Sequence, residues 1–340
     1  MPRQHHAVIV SALRTPVGKY GGALKDVRVD DMSALILRTL VERTKLDPAL
    51  IEDVFWGCAN QAGEDNRNLA RMALLLAGFP QSVPGTTINR LCGSSLEAII
   101  QGARAIWSGE NDIVIAGGAE SMTRAPYVFS KNVSGSALYG NLTAYDTSLG
   151  WRFPNPKMEK IIPLESMGET AENVAEKYLV KRSDQDEFAL NSHRKAVAAR
   201  SRLAEEIVTV EVPTKNGSIK ISADEGPRED TSIERLSKLK PAFRENGSVT
   251  AGNSSSLNDG AAGLIMMSEE KANALGLKPL ARIISSGVAG VDPRCMGIGP
   301  VPATQKALQK ANIKTSDIGL IELNEAFAAQ SIAVIRELKL

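Results

Sequence analysis

Short β-branched runs alternate with helical stretches through the first third of the chain, and this alternation restricts the possible folds more than any other feature of the sequence. An order of this kind is typical of a largely parallel sheet that is covered by helices. The sequence therefore predicts an α/β protein. The alternating strand-like and helix-like runs are residues 7–10, 32–43, 54–56, 69–77, 86–89, 96–107 and 113–116.

The composition changes in the middle of the chain. Between about residues 123 and 250, Pro, Asn, Ser and charged residues accumulate, and Trp151 and Phe153 lie in the loop-like run GWRFPNP. One long polar helix is expected over residues 183–201. These features predict a more irregular domain that is inserted into the α/β framework.

A long-range internal match indicates two related halves. Residues 46–59 (LDPALIEDVFWGCA) line up with residues 313–326 (IKTSDIGLIELNEA), and in both a helix ends, a turn follows and an apolar strand leads into polar residues. A solenoid would repeat at about 20–50 residues, so this spacing favours a duplicated α/β unit. Only about 60 residues follow Leu280, roughly half of what a comparable sheet and its helices use, and we expect an incomplete second half.

The 340 residues carry 40 Lys and Arg against 39 Asp and Glu, so the chain is nearly neutral. This balance argues against nucleic acid as a main partner, and no apolar run approaches the roughly 18 residues of a membrane span. The first ten residues contain no secretory signal, so we expect a cytoplasmic protein. The three cysteines are too far apart and too few for a disulfide framework or a zinc site, and we expect no bound metal.

Cys92 is the first candidate for chemistry, because it lies between the strand-like run TTIN and a helix that begins near Gly93 or Ser94. The positive end of a helix dipole favours a thiolate and therefore a nucleophile. The alternative is a small thiol packed between strand and helix, and the sequence leaves the two interpretations about equal. Cys58 and Cys295 are expected to be structural.

Two polar segments are further candidates. Residues 251–263 (AGNSSSLNDGAAG) form either a turn cluster or a ligand loop, and composition alone favours the turn. Asn324 begins the run NEAFA after a predicted apolar strand, where open α/β sheets place ligands. It is a helix cap by default, or else a hydrogen-bond donor to an oxyanion. His193 falls on the polar helix, where a solvated surface role is expected.

Seven runs follow one another along the chain: RTPVGKYGG, GCANQAGEDNRNLARMALLLAGFP, NRLCGSSLEAI, GGAESMTRAPY, SMGETAENVAEKY, KPAFRENGSVTAGNSSSLNDGAAG and NEAFAAQ. Taken together, these runs resemble the thiolase family of acyl-CoA acetyltransferases. The resemblance implies two similar α/β halves in α-β-α-β-α layers with an inserted loop domain. It places the N-terminal half at residues 1–121 and 258–278, the insert at 122–257 and the shortened C-terminal half at 279–340.

The resemblance also assigns roles to residues of this chain. It implies that Cys92 is the acylated nucleophile and that Asn324 holds a water for the second oxyanion. Coenzyme A is implied as a substrate, with no cofactor. The resemblance implies a homodimer or homotetramer, and the apolar run ALLLAG at residues 73–78 is a segment that such an assembly could bury. The residues expected to line the pantetheine and acyl tunnel or to contact CoA are Met167, Arg228, Ala251, Ser255, Ala326 and Phe327.

The predicted function is acyl transfer between a 3-oxoacyl-CoA and CoA through an acyl-enzyme on Cys92. The runs GCANQAGEDNRN and YDTSLGWRFPNP look most like degradative and 3-oxoadipyl-CoA thiolases. The GHPxGxSG and CxGGG segments, which carry the family's activating histidine and acid/base cysteine, do not occur in these 340 residues. The alternative is therefore a catalytically impaired remnant that only binds CoA or a partner.

Overall fold

The computed structural model describes residues 5–61, 63–131 and 141–340. The first half of the chain alternates strands and helices as the sequence predicts. Short 3₁₀ helices cover Pro48–Leu50, Pro293–Ile298 and Thr315–Asp317. The strands are β1 (Ala7–Arg14), β2 (Gly18–Lys19), β3 (Asp53–Gly57), β4 (Gly85–Ile88), β5 (Ile113–Ser121), β6 (Tyr127–Val128), β7 (Tyr145–Asp146), β8 (Val210–Thr214), β9 (Gly217–Ile221), β10 (Asn258–Ser268) and β11 (Ala281–Arg282). The helices are α1 (Val29–Thr44), α2 (Leu69–Leu76), α3 (Ser94–Ser108), α4 (Pro156–Glu159), α5 (Met167–Lys177), α6 (Arg182–Ala198), α7 (Arg200–Leu203), α8 (Ile233–Ser237), α9 (Glu269–Ala274), α10 (Pro300–Ala311) and α11 (Ala328–Leu338).

The main sheet has the strand order β11-β1-β10-β5-β3-β4, with β2 paired to the start of β10. Strand β3 pairs in parallel with β4 and β5, as expected. Strand β10, however, pairs antiparallel with both β1 and β5, so the prediction of a largely parallel sheet is wrong at its centre. The reason is that β10 comes from beyond the insert and returns into the sheet in the opposite direction.

Helices cover both faces of this sheet, and the side chains of β5 show how. Ile113 and Ile115 belong to the core beneath α1, whereas Val114 and Ala116 belong to the core beneath α3. This alternation follows from the two-residue period of a strand. On the α1 side the fully buried Trp56 donates its indole N–H to Ser33 Oγ at 3.0 Å.

The insert and the end of the chain share a second core. The long polar helix is confirmed as α6, which is followed at once by α7. Helix α5 packs on α11 and on the 3₁₀ helix Pro293–Ile298, and Val174, Cys295 and Val334 are among the buried residues of this cluster. The insert therefore packs against residues 279–340, the segment that resembles the C-terminal half of a thiolase.

The two matched segments begin alike and then diverge. Helices α1 and α10 both end at a left-handed residue, Lys45 with φ 54° and Asn312 with φ 55°, and a 3₁₀ helix follows each. The first segment continues into β3. The prediction of a strand at residues 318–323 is wrong. These residues form no strand pairing within the described parts of the chain, and Leu320 is 82% exposed.

Candidate active site

Cys92 lies in a constrained turn between β4 and α3. Leu91, the residue before it, has φ +51°, a left-handed conformation that few non-glycine residues adopt. Two side chains hold this turn. Asn89 Oδ1 accepts the Leu91 N–H at 2.9 Å, and Ser94 Oγ accepts the Arg90 N–H at 2.9 Å while it donates to the Leu91 carbonyl at 2.6 Å. The turn therefore presents Cys92 at the start of α3 in one fixed arrangement.

Two glycines allow the start of α3 to approach the sheet. A methyl group on Gly57, at the end of β3, would overlap the main-chain nitrogen of Ser95. A methyl group on Gly118, in β5, would overlap Ser95 Oγ. Glycine is needed at both positions because helix and strand backbones meet there without room for a side chain. The first turn of α3 thus sits directly over the carboxyl-terminal ends of β3 and β5.

The three cysteines differ in exposure. Cys92 is exposed, so the alternative of a buried thiol between strand and helix is wrong for this residue. Cys58 and Cys295 are buried, as expected for structural cysteines. Burial, reinforced by the nearby carboxylate of Glu120, raises the pKa of the Cys58 thiol. Of the three thiols, only Cys92 is placed to react with a ligand.

A second element of the site is a pair of loops, residues 253–255 and 326–328, joined by main-chain hydrogen bonds. The Ser255 N–H donates to the Ala326 carbonyl and the Ala328 N–H donates to the Asn253 carbonyl, both at 2.9 Å. Ser254 and Phe327 form an antiparallel bridge between them. The structure therefore brings together the segments AGNSSS and NEAFA, which the sequence places about 70 residues apart.

Helix α5, which begins at Met167, contacts this loop pair through two phenylalanines. The Ser166 hydroxyl caps this helix in front of Met167. The next residue, Gly168, packs so closely on Phe243 that a methyl group would overlap the ring, and the Phe243 ring lies edge-to-face on Phe327 with centroids 6.1 Å apart. Ala251 and Ser255 are exposed.

Asn324 and Arg228 are both exposed and lie outside the cysteine turn and the loop pair. Asn324 is exposed, and its side chain makes no hydrogen bond within the described parts of the chain. The default interpretation of Asn324 as a helix cap is wrong, because α11 begins after Phe327. Arg228 pairs with Asp230, and its N–H donates to His193 Nδ1 at 3.2 Å. His193 is half-buried and therefore less solvated than its place on a polar helix predicted.

Sheet topology places Cys92 and the loop pair at the same edge of the sheet, the edge formed by the carboxyl-terminal ends of β3 and β5. Because β10 runs antiparallel to β5, its first residues pair with the last residues of β5, as Asp259 does with Ser121. The loop at residues 253–257 therefore enters the sheet at the edge over which Cys92 lies. No hydrogen bond joins Cys92 to Asn324 or to the loop pair among the residues that the structure describes.

Sequence reasoning missed the buried residues that support these loops. Asn253 is 2% exposed, accepts the Thr250 N–H at 2.8 Å and donates to Asp186 at 3.0 Å. Asn60, next to the end of β3, donates to Thr147 in the insert. An asparagine in a glycine- and serine-rich run signals a turn, but nothing local in the sequence reveals its distant partner.

Within the described residues, the structure shows no cluster of three or more His, Cys, Asp or Glu side chains that could hold a metal ion. None of the helices that the structure describes is long and apolar enough to cross a lipid bilayer.

A sheet covered by helices on both faces and a constrained cysteine turn at the start of α3 are the features expected of an α/β acyltransferase of the thiolase type. Family models agree: the thiolase N-terminal domain matches residues 7–270 and the thiolase C-terminal domain matches residues 277–340. The chain belongs to the thiolase family, and it is an acetyl-CoA C-acyltransferase.

Individual relatives cover nearly all of this chain. The 3-oxoadipyl-CoA/3-oxo-5,6-dehydrosuberyl-CoA thiolase of Escherichia coli K12 is 55% identical over 338 residues, which are 98% of this chain and 84% of that protein. The beta-ketoadipyl-CoA thiolase of Pseudomonas putida is 52% identical over 97% of this chain and 83% of its own length. The crystal structure of the Bacillus anthracis acetyl-CoA acetyltransferase superposes with a TM-score of 0.92 at 43% identity, covering 100% of this chain and 85% of that one. These matches support the acyltransferase over the impaired remnant.

Proposed function

We propose that the protein cleaves 3-oxoadipyl-CoA, or a closely similar dicarboxylic 3-oxoacyl-CoA, with free CoA. The observation that carries the proposal is the exposed Cys92 in its constrained turn, at the sheet edge that also receives the loop pair. The proteins from Escherichia coli and Pseudomonas putida, whose names state this substrate, are 55% and 52% identical to the chain. We therefore expect this sheet edge to bind the acyl group that the names of these two relatives state.

The reaction proceeds in two transfers. The Cys92 thiolate attacks the 3-keto carbon, the bond between C2 and C3 breaks, and acetyl-CoA leaves once its enolate has taken up a proton. The acyl group remains on the cysteine as a thioester. The thiol of a second CoA then attacks this thioester, which releases the shortened acyl-CoA and restores Cys92.

In this proposal the other assigned residues bind CoA and the acyl group or stabilise the oxyanions. Met167, Ala326 and Phe327 line the tunnel for pantetheine and acyl group, and Ala251 and Ser255 contact the pantetheine. Their placement around one loop pair supports this role. Arg228 is exposed, and its guanidinium contacts the adenine end of CoA in this proposal. The Cys92 N–H and a water held by Asn324 stabilise the two oxyanions.

The test follows the acyl group. Incubation with 3-oxoadipyl-CoA without free CoA should leave a succinyl adduct on Cys92 in peptide mass spectrometry and release acetyl-CoA, and added CoA should remove the adduct as succinyl-CoA. Iodoacetamide should alkylate Cys92 before Cys58 and Cys295, since buried thiols react only after local opening. The Cys92→Ala variant is the control. An adduct on another residue, or none with any 3-oxoacyl-CoA, would refute the assignment.

We infer that the enzyme is a homo-oligomer in the cytoplasm, where its free thiols stay reduced. In the run ALLLAG, Ala73 and Leu74 are fully buried, whereas Leu75 and Leu76 on the outer face of α2 are 40% and 50% exposed. An apolar face next to the edge strand β4 is suited to a subunit contact. Light scattering at micromolar concentration should give a dimer or tetramer, and a monomer would contradict the inference.

A further inference from the structure

Arg152 is half-buried and has no acidic partner among the residues that the structure describes. Its Nη2 makes one long hydrogen bond, 3.4 Å to Asn60 Oδ1, and no carboxylate lies within 4.0 Å of it among the described residues. The stretches outside the described parts contain no Asp or Glu that could supply one. Burial of a cation without a counter-charge is costly. An arginine in this state is therefore placed to receive an anion from outside the chain.

A short series of contacts places Arg152 near Cys92. Asn60, its partner, follows directly after Ala59, whose carbonyl accepts a hydrogen bond from Asn89 Nδ2 at 2.8 Å. Asn89 is the residue whose Oδ1 fixes the Leu91 N–H, one position before Cys92. The guanidinium thus lies over the same sheet edge as the nucleophile.

The loop that carries Arg152 is held on both sides. Trp151 donates its indole N–H to the Glu165 carbonyl at 3.0 Å, and the Phe153 ring packs edge-to-face on Tyr145 with centroids 5.2 Å apart. These contacts fix the backbone around Arg152 before any ligand arrives, which lowers the entropy cost of binding.

Neighbouring charges are already engaged. Glu120 accepts the Ala59 N–H at 2.8 Å, so its carboxylate faces the loop backbone. Arg90, close in sequence to Cys92, is bonded through Nε to the buried carboxylate of Glu97 at 3.0 Å. Arg90 is therefore committed to a structural ion pair, whereas Arg152 is not.

We propose that Arg152 binds the free carboxylate at the distal end of the acyl chain and so selects dicarboxylic 3-oxoacyl-CoA substrates. The inference rests on the proposed function and deepens it. In a six-carbon dicarboxylic chain, the distal carboxylate is three bonds from the keto carbon that Cys92 attacks. Its binding group must therefore lie near the cysteine and not near the adenine end of CoA. A planar guanidinium matches a carboxylate through two parallel hydrogen bonds.

The first experiment compares two substrates that differ only at the distal end, 3-oxoadipyl-CoA and 3-oxohexanoyl-CoA. For Arg152→Gln we expect kcat/KM to fall about 10- to 100-fold with the dicarboxylic substrate, the usual effect of losing a charged hydrogen bond. With the neutral substrate it should change less than about threefold. Arg152→Lys should recover part of the preference. Arg38→Gln, an exposed arginine on α1, is the matched control and should change neither value.

A binding experiment separates this inference from the proposed function. In the Cys92→Ala background, which cannot be acylated, calorimetry should show tighter binding of succinyl-CoA than of butyryl-CoA, and Arg152→Gln should abolish the difference. Equal affinity of the Cys92→Ala protein for succinyl-CoA and butyryl-CoA would overturn the role of Arg152. So would an equal loss of affinity for both ligands when Arg152→Gln is added. Failure of Cys92 acylation by either 3-oxoacyl-CoA would instead overturn the proposed function and leave this binding comparison interpretable.

Discussion

The hydroxyl of Ser94 donates a hydrogen bond to the Leu91 carbonyl at 2.6 Å and accepts one from the Arg90 N–H at 2.9 Å. One side chain therefore bonds a main-chain N–H and a main-chain carbonyl of the turn that presents Cys92. Ser94 is 4% exposed, so water cannot replace its hydroxyl without rearrangement. The left-handed conformation of Leu91 persists because these bonds enforce it.

Removing this hydroxyl should destabilise the turn. We expect Ser94→Ala to lower the free energy of unfolding by about 1–3 kcal/mol, because the Arg90 N–H loses its acceptor and the Leu91 carbonyl keeps only the main-chain N–H of residue 94. Acylation of Cys92 should slow as the turn loosens. Chemical denaturation and single-turnover acylation measure the two effects. Ser108→Ala, which removes one hydroxyl at the exposed end of the same helix, should change the free energy of unfolding by less than about 0.5 kcal/mol. A similar loss for both variants would refute the turn-specific role.

Gly57 should not tolerate a methyl group. Gly57→Ala forces the first turn of α3 away from β3, and overpacking of this kind costs about 1–3 kcal/mol. The displacement should also impair acylation of Cys92. The matched control is Gly226→Ala, because Gly226 has open space around it and no left-handed backbone. Thermal unfolding of both variants checks the prediction, and it fails if Gly57→Ala is as stable as the control.

Asn324 should matter for rate and not for stability. If it holds the water of an oxyanion hole, Asn324→Ala should lower kcat by about 10²–10³-fold, the usual cost of one donor. The free energy of unfolding should change by less than about 0.5 kcal/mol, because this exposed side chain makes no hydrogen bond in the described parts of the chain. Steady-state kinetics and denaturation are measured together, with the exposed Asn191→Ala as control. An unchanged kcat would count against the assignment.

His193 should make stability depend on pH. Burial, and then the positive charge of Arg228, hold the pKa of His193 below its ordinary value. The unfolded chain therefore takes up a proton first as the pH falls, and the free energy of unfolding should decrease as the pH drops from about 6.5 through the folded-state pKa. Protonation also removes the Nδ1 acceptor for the Arg228 N–H. Denaturation of wild type and His193→Gln across this range should show a weaker pH dependence for the variant.

Local patterns predicted much of this molecule. The strand and helix order of the first half, the long polar helix α6 and the helix that starts just after Cys92 all follow from periodicity and capping within a few residues. The resemblance to thiolases then supplied the identity of the loop pair. These features share one property, since each is encoded by neighbours along the chain or by a recognisable run.

The features that sequence missed depend on distant partners. β10 enters the sheet between β1 and β5 because its register is set by strands far away in the sequence. Asn324 does not cap α11 because Phe327 pairs with Ser254 and fixes the helix start three residues later. Arg152 meets Asn60 across 92 residues. No local pattern specifies such contacts.

The central position of β10 also affects how the protein folds. Asp259 in β10 and Ser121 in β5 are hydrogen-bonded although 138 residues separate them. During synthesis β1 and β5 are complete while a strand-wide gap remains between them, and the gap closes only after the whole insert has emerged. Contacts of such large sequence separation slow folding. Until β10 arrives, the facing edges of β1 and β5 are unpaired, so the strand order itself exposes the incomplete chain to aggregation through these edges.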